Sequence, residues 1–238
     1  MVFYIIILII GAALLAWMLY VKSRKDTVRT VFIKTGISSC FMLTAVVCMS
    51  IRASAGAGYS LFQYFVVPGL LFGLLGDIWL GLKNSQGKEQ DSFTLAGFIS
   101  FLIGHLFYIV GMSICYGSGN PLYIILPILV GIGLGFIMGF GEKLMKVRFG
   151  HYRTIVIIYG CALSSMTLLA LSMAIKAGWA VKTINLMFIG GVLFLTSDLI
   201  LCQMYFGKAD EKNVGFTAAN LITYYAAMFI IASSLMFA

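Results

Sequence analysis

Long apolar runs separated by short polar connections follow one another along the whole chain. A helix needs about 20 mostly apolar residues to cross a bilayer, and eight stretches meet this condition. The sequence therefore predicts eight membrane-spanning helices: Val2–Val21, Val31–Ile51, Tyr59–Leu82, Phe93–Tyr116, Pro121–Gly141, Tyr152–Ile175, Trp179–Phe206 and Val214–Phe237. Because no connection is long enough for a separate extramembrane unit, we expect residues 1–238 to form a single all-α transmembrane domain.

The composition supports a membrane location. Apolar residues make up 61% of the chain and charged residues 10%, against about a quarter charged in ordinary soluble domains. Too few charges are present to coat a soluble protein, which excludes a soluble enzyme, a disordered chain and a secreted disulfide scaffold. The cysteines lie inside the apolar runs without CxxC spacing, so we expect small buried side chains and no metal site: Cys40, Cys48, Cys115, Cys161 and Cys202.

The net charge of +8 comes from basic residues in the gaps between spans. They form no continuous basic face, so we expect contacts with membrane lipids and no nucleic-acid partner. Twelve of the sixteen lie in or beside odd-numbered connections: Lys22, Arg24, Lys25, Arg29, Lys83, Lys88, Lys143, Lys146, Arg148, Arg153, Lys208 and Lys212. The positive-inside rule then places these connections in the cytoplasm and both termini on the opposite side. We expect a multi-pass protein of a bacterial inner membrane.

Glycine spacing indicates which helix faces pack together. Glycines recur at steps of four, of eight or of seven within the third, fourth and fifth spans: Gly69, Gly73 and Gly81; Gly97, Gly104 and Gly111; Gly131, Gly135 and Gly139. Small residues on one stripe allow helix backbones to approach closely in lipid. The pattern predicts a compact bundle.

Two acidic residues, Asp77 and Asp198, lie inside predicted spans. A carboxylate at membrane depth is costly unless it is paired, protonated or hydrated, so such residues usually mark function. Asp77 falls between Gly73 and Gly81 on the glycine stripe, which predicts that it faces the interior. Lys34 enters the second span from the same side, so three ionisable groups are expected in the cytoplasmic half of the bundle.

Further polar residues lie within the spans. His105 and Tyr108 share one face of the fourth span, and Tyr224, near the middle of the eighth, needs a partner for its hydroxyl group. Three interpretations remain open from the residues alone: a structural ion pair between Lys34 and one aspartate, a proton or ion pathway, and a catalytic site. A non-catalytic scaffold would need neither aspartate. His151 lies in a basic connection and is expected to be solvated.

Four blocks of sequence together resemble a known family. LFGLLGD ends at Asp77, FLIGHLFY contains His105 and Tyr108, LFLTSD ends at Asp198, and TYYAA contains Tyr224 and Tyr225. In this order, over the second to eighth spans, they resemble the YhhN/TMEM86 family of integral-membrane lysoplasmalogenases.

The resemblance implies hydrolysis of the vinyl-ether bond of lysoplasmalogens that enter from the bilayer. The products would be a fatty aldehyde and glycerophosphocholine or glycerophosphoethanolamine. It also implies a catalytic pair, in which one of Asp77 and Asp198 is a protonated general acid and the other is ionised, stabilises the cation and orients water. Supporting or substrate-binding roles fall to Lys34, His105, Tyr108, Ser197, Asn220, Tyr224 and Tyr225. No metal or cofactor is expected. The alternative is a proton-coupled membrane transporter that uses the same residues.

Overall fold

The computed structural model describes residues 1–23, 27–83, 90–207 and 214–238. Parts of three connections lie outside these residues. Five basic residues used in the orientation argument fall there: Arg24, Lys25, Lys88, Lys208 and Lys212. The side of the membrane on which the termini lie therefore stays a prediction.

The secondary structure of the described residues is helical, without strands. The helices are α1 (Val2–Ser23), α2 (Thr27–Ser54), α3 (Gln63–Leu82), α4 (Gln90–Tyr116), α5 (Leu122–Phe140), the short α6 (Glu142–Met145), α7 (Arg153–Lys176), α8 (Lys182–Phe206) and α9 (Val214–Ser234), with one 3-10 turn at Gly150–Tyr152. All except α6 are long and apolar enough to cross a membrane. The prediction of eight spans in an all-α fold is confirmed.

Two helices begin at least three residues later than the hydropathy pattern predicts. The third begins at Gln63 and not at Tyr59, because Tyr59 and Ser60 are irregular and the next two residues form a turn. The Gln63 side chain accepts a hydrogen bond from the Ser60 backbone nitrogen at 3.1 Å across this turn. The seventh predicted span begins at Lys182. Trp179 cannot belong to it because its φ of 62° is left-handed and breaks the helix.

Six helices form a closed ring. Around it, α2 packs on α3, α3 on α4, α4 on α7, α7 on α8, α8 on α9, and α9 again on α2. Helix α1 packs outside the ring against α2 and α9, and α5 packs outside it against α7. These two outer helices are the least buried of the spans. Polar residues on the inner faces of the ring helices consequently share one interior.

The predicted glycine stripes lie at the closest helix contacts. Gly131, Gly135 and Gly139 face α7 so closely that a Cβ atom on any of them would overlap atoms of that helix. On the other side of the bundle, a Cβ on Gly104 would lie 2.9 Å from the carbonyl oxygen of Gly69 on α3. The expected backbone packing is confirmed.

One end of the bundle is basic, and we call it the basic end. There α2, α4, α7 and α9 begin and α3 and α8 end. Its described basic residues are Lys22, Arg29, Lys83, Lys143, Lys146, Arg148 and Arg153.

Candidate functional site

Each of the six ring helices contributes at least one polar side chain to the site in the interior. In chain order these are Lys34, Asp77, His105, Tyr159, Asp198 and Tyr224. At a rise of about 1.5 Å per residue, Asp77 lies about 7 Å from the end of α3 and Asp198 about 12 Å from the end of α8. The two acidic residues and Lys34 therefore occupy the same half of the bundle, as predicted.

Asp77 is the centre of the first group. Its side chain is 1% exposed, and Lys34 Nζ lies 3.0 Å from Oδ1. Oδ2 accepts hydrogen bonds from the hydroxyl groups of Ser38 at 2.5 Å and Tyr224 at 2.8 Å. One cation and two donors all stabilise the ionised carboxylate. The structure thus contains the ion pair that the sequence left open, and it gives Tyr224 its hydroxyl partner.

The partners of Asp77 are themselves held in place. The Tyr225 hydroxyl group donates to the backbone oxygen of Lys34 at 3.4 Å, which ties α9 to α2. The ring of Tyr224 meets Phe101 and Phe194 edge to face, at centroid distances of 5.8 and 5.3 Å. The Tyr224 hydroxyl group is therefore directed at Asp77 by packing as well as by its hydrogen bond.

Asp198 is the centre of the second group. The Tyr159 hydroxyl group donates to Asp198 Oδ2, and His105 Nε2 lies 3.4 Å from the same hydroxyl oxygen. Because Tyr159 has one hydrogen to donate, His105 must donate from Nε2, and this network assigns its tautomer. His105 Nδ1 is then an acceptor, and it has no hydrogen-bond partner among the described residues. The result is a three-residue relay from His105 through Tyr159 to Asp198.

The Phe194 ring lies between the two groups. Its centroid is 5.3 Å from that of Tyr224, which binds Asp77, and 4.8 Å from that of His105, which belongs to the Asp198 relay. No hydrogen bond or ion pair joins the two carboxylates in the described part of the chain. The structure brings the aspartates to one aromatic cluster as two separate groups, and their joint action on one substrate stays a prediction.

Ser197 and Asn220 bind each other. Asn220 Nδ2 donates to both the hydroxyl and the backbone oxygen of Ser197 at 2.9 Å, and the Ser197 hydroxyl donates to the Asn220 backbone oxygen at 3.1 Å. This bridge fixes α8 against α9 beside Asp198 and one turn before Tyr224. Within the described residues neither side chain hydrogen-bonds an aspartate, so the two position the helices.

Tyr108 is buried against Gly69, and its hydroxyl group has no hydrogen-bond partner among the described residues. Its ring centroid lies 6.3 Å from that of His105. It therefore borders the second group without joining the relay.

Two members of the site were not predicted from the sequence. Ser38 lies one turn after Lys34, and this spacing could have placed both residues on the face towards Asp77. Tyr159 is an isolated tyrosine in an apolar run, and no spacing pattern distinguishes it.

The site offers proton donors and acceptors within an apolar bundle. In the described part of the chain, no group of three His, Cys, Asp or Glu side chains is placed to hold a metal ion. The two carboxylates have different partners, since Asp77 binds a lysine and Asp198 binds a tyrosine. One carboxylate can therefore act as a charged group and the other as a proton carrier.

Comparison with known proteins identifies one family. The model of the YhhN family matches residues 30–235, which include all six polar residues that the ring helices contribute. No curated protein and no solved structure matches the chain.

Proposed function

We propose that this chain, which belongs to the YhhN family, is a lysoplasmalogenase that hydrolyses the vinyl-ether bond of alkenyl lysophospholipids. The observation that carries the proposal is the different surroundings of two carboxylates in one bundle. Asp77 has a lysine and two hydroxyl donors, whereas Asp198 has a tyrosine and no cation among the described residues. Acid hydrolysis of a vinyl ether needs a proton donor beside a group that stabilises positive charge.

In the proposed reaction Asp198 is the acid and Asp77 is the ionised partner. The proton of Asp198 moves to the β-carbon of the vinyl ether, and the electrons of the double bond form the new C–H bond. The adjacent carbon and the ether oxygen then share a positive charge as an oxocarbenium ion. Holding the carboxyl group against the carbon provides the geometry that this slow proton transfer requires.

Water completes the reaction. Its oxygen bonds to the carbon of the oxocarbenium ion, and its proton returns to Asp198. The resulting hemiacetal breaks its bond to the glycerol oxygen, which takes up a proton, and the products are a fatty aldehyde and the glycerophospho alcohol. The relay of His105 and Tyr159 orients Asp198 throughout these steps.

A site within the bundle suits this substrate. The long alkenyl chain resides in the bilayer, and a lipid that enters sideways between helices brings its vinyl ether to membrane depth without leaving the apolar phase.

The test is aldehyde release from an alkenyl lysophospholipid by purified protein in detergent. We expect Asp77→Asn and Asp198→Asn to reduce the rate at least about 100-fold while the folded yield stays unchanged. Glu142→Gln is the matched control, because it removes one carboxylate charge outside the site. The glutamine keeps an oxygen that can accept the hydrogen bond from the Phe149 backbone nitrogen. An ester-linked lysolipid controls for general lipase activity. If well-folded wild-type protein releases no aldehyde, the enzyme proposal is wrong, and proton-coupled transport in liposomes becomes the function to measure.

A further inference from the structure

A groove opens between α4 and α7 at the basic end of the bundle. It has a volume of about 380 Å³, which is within the usual size range of small-ligand sites. Its apolar wall includes Leu95, Ile155 and Ile158, and its polar end includes Asp91, His151 and Tyr152. The groove therefore presents an amphipathic surface to an amphipathic ligand.

The polar end combines a carboxylate with two aromatic rings. Asp91 Oδ1 accepts a hydrogen bond from the Tyr152 hydroxyl group at 2.6 Å, and His151 Nε2 lies 3.6 Å from Oδ2. The His151 and Tyr152 rings are 4.0 Å apart. The Asp91 side chain remains 73% exposed, so its carboxylate can accept a further partner. A carboxylate beside aromatic faces is the arrangement that recognises alkylammonium groups.

Aromatic contacts connect the wall of the groove with the Asp198 group. Phe98, one turn after Leu95 on α4, packs against Tyr152 at 6.4 Å and against Tyr159 at 5.6 Å between ring centroids. Tyr159 is the residue that donates to Asp198. The Phe98 and Tyr159 rings thus lie between the groove and the proposed acid.

The spacing between the two ends matches a lysolipid headgroup. Tyr152 directly precedes α7, and Tyr159 lies seven residues further along the chain within it, which corresponds to about 10 Å at the helical rise. In an aminoethyl glycerophospholipid, roughly nine bonds separate the nitrogen from the vinyl-ether oxygen, and at about 1.2 Å per bond in an extended chain they span about 11 Å. Because Tyr152 binds Asp91 and Tyr159 binds Asp198, a headgroup of this length is suited to extend from the first carboxylate towards the second.

We infer that Asp91, with Tyr152 and His151, binds the ammonium group of the substrate headgroup and makes the protein selective for amine-bearing lysolipids. This inference rests on the proposed function and adds the specificity site to it. The carboxylate attracts the ammonium group at an end of the bundle where basic residues predominate, whereas a lysolipid with a bare phosphate gains nothing from Asp91.

A purely structural role for Asp91 leads to different expectations. Asp91 lies in the first turn of α4, where a negative charge stabilises the helix N-terminus. In that case its removal would lower the melting temperature and would affect all substrates alike.

Binding of saturated alkyl-ether lysolipids, which cannot be hydrolysed as vinyl ethers, tests the inference without requiring activity. The wild type, Asp91→Asn and the Glu142→Gln control are compared with two ligands of equal chain length, one with a phosphoethanolamine headgroup and one with a bare phosphate. We expect Asp91→Asn to weaken binding of the ethanolamine lipid about tenfold and to leave the phosphate lipid unchanged, with no effect of Glu142→Gln. Equal losses for both lipids, or no loss for either, would overturn the inference.

A second variant and the hydrolysis assay separate the remaining outcomes. Tyr152→Phe keeps the ring and removes the donor to Asp91, so it should selectively weaken ethanolamine binding a few-fold even if Asp91→Asn does not fold. If the wild type releases no aldehyde but this selectivity is present, the proposed reaction fails and the headgroup site remains. If the wild type hydrolyses the alkenyl counterparts of both lipids and the variants keep the wild-type KM for each, the reaction stands and the headgroup site is wrong.

Discussion

The ion pair between Lys34 and Asp77 allows a quantitative test of the interior. At 3.0 Å and an effective dielectric constant of about 20, the attraction between the two charges is about 5 kcal/mol. Removal of one member of a buried pair typically costs 3–5 kcal/mol, because the other charge is left uncompensated. Asp77 would keep its hydrogen bonds from Ser38 and Tyr224, so we expect Lys34→Met to cost about 3 kcal/mol, at the lower end of that range.

The expected signature is a non-additive double-mutant cycle. A loss of about 3 kcal/mol lowers the melting temperature of a chain of this size by about 6–12 °C. Asp77→Asn should cost less, because Lys34 is 15% exposed and lies near the basic end. The double variant should be more stable than Lys34→Met alone, since it leaves no unpaired charge.

Thermal unfolding in detergent, followed by circular dichroism, measures this cycle. Lys182→Met is the control, because it removes an exposed cation at the opposite end of the bundle and should change stability by less than about 0.5 kcal/mol. If the losses from the two single variants simply add in the double variant, the charges do not stabilise each other and the reasoning is refuted.

Two further predictions concern the second group and the helix contacts. Tyr159→Phe leaves the Asp198 carboxyl group without its hydrogen-bond donor, at a cost of about 1–3 kcal/mol, and should lower kcat for aldehyde release about 10- to 100-fold. The exposed Tyr64→Phe is its control, and an unchanged kcat would show that Tyr159 does not support Asp198. Gly135→Ala should lower the melting temperature relative to Gly133→Ala, because a Cβ at Gly135 would overlap the backbone of Cys161 whereas the surroundings of Gly133 are open; equal melting temperatures would show that α5 and α7 can separate without cost.

Hydropathy and spacing were sufficient to predict the spans, and they failed at two helix starts that local turns determine. Apolar runs of about 20 residues have few alternatives to a spanning helix, since every backbone polar group must be satisfied in lipid. Helix α3 begins after a turn in which the Gln63 side chain binds the Ser60 backbone, and α8 begins after the left-handed backbone at Trp179. Neither feature changes the local hydropathy, so the pattern could not show it.

Only the part of the site that depends on spacing within one helix could be predicted from the sequence. Asp77 was placed correctly in the interior because the glycine stripe of its own helix indicates the packed face. The pairing of Lys34 with Asp77 rather than with Asp198, and the relay through Tyr159, depend on which helices are neighbours in the ring. Spacing along one helix carries no information about that order.

The order of these partners along the chain bears on how the protein is made. The helix that carries each buried acid directly follows, among the spans, a helix that already carries a partner for it: α2 with Lys34 precedes α3 with Asp77, and α7 with Tyr159 precedes α8 with Asp198. A lone lysine or aspartate at the centre of an inserting helix costs roughly 2.5–3.5 kcal/mol. As the ribosome delivers the spans one by one, each acidic segment can therefore enter the bilayer together with its partner, and neither charge of the α2–α3 hairpin has to cross the lipid uncompensated.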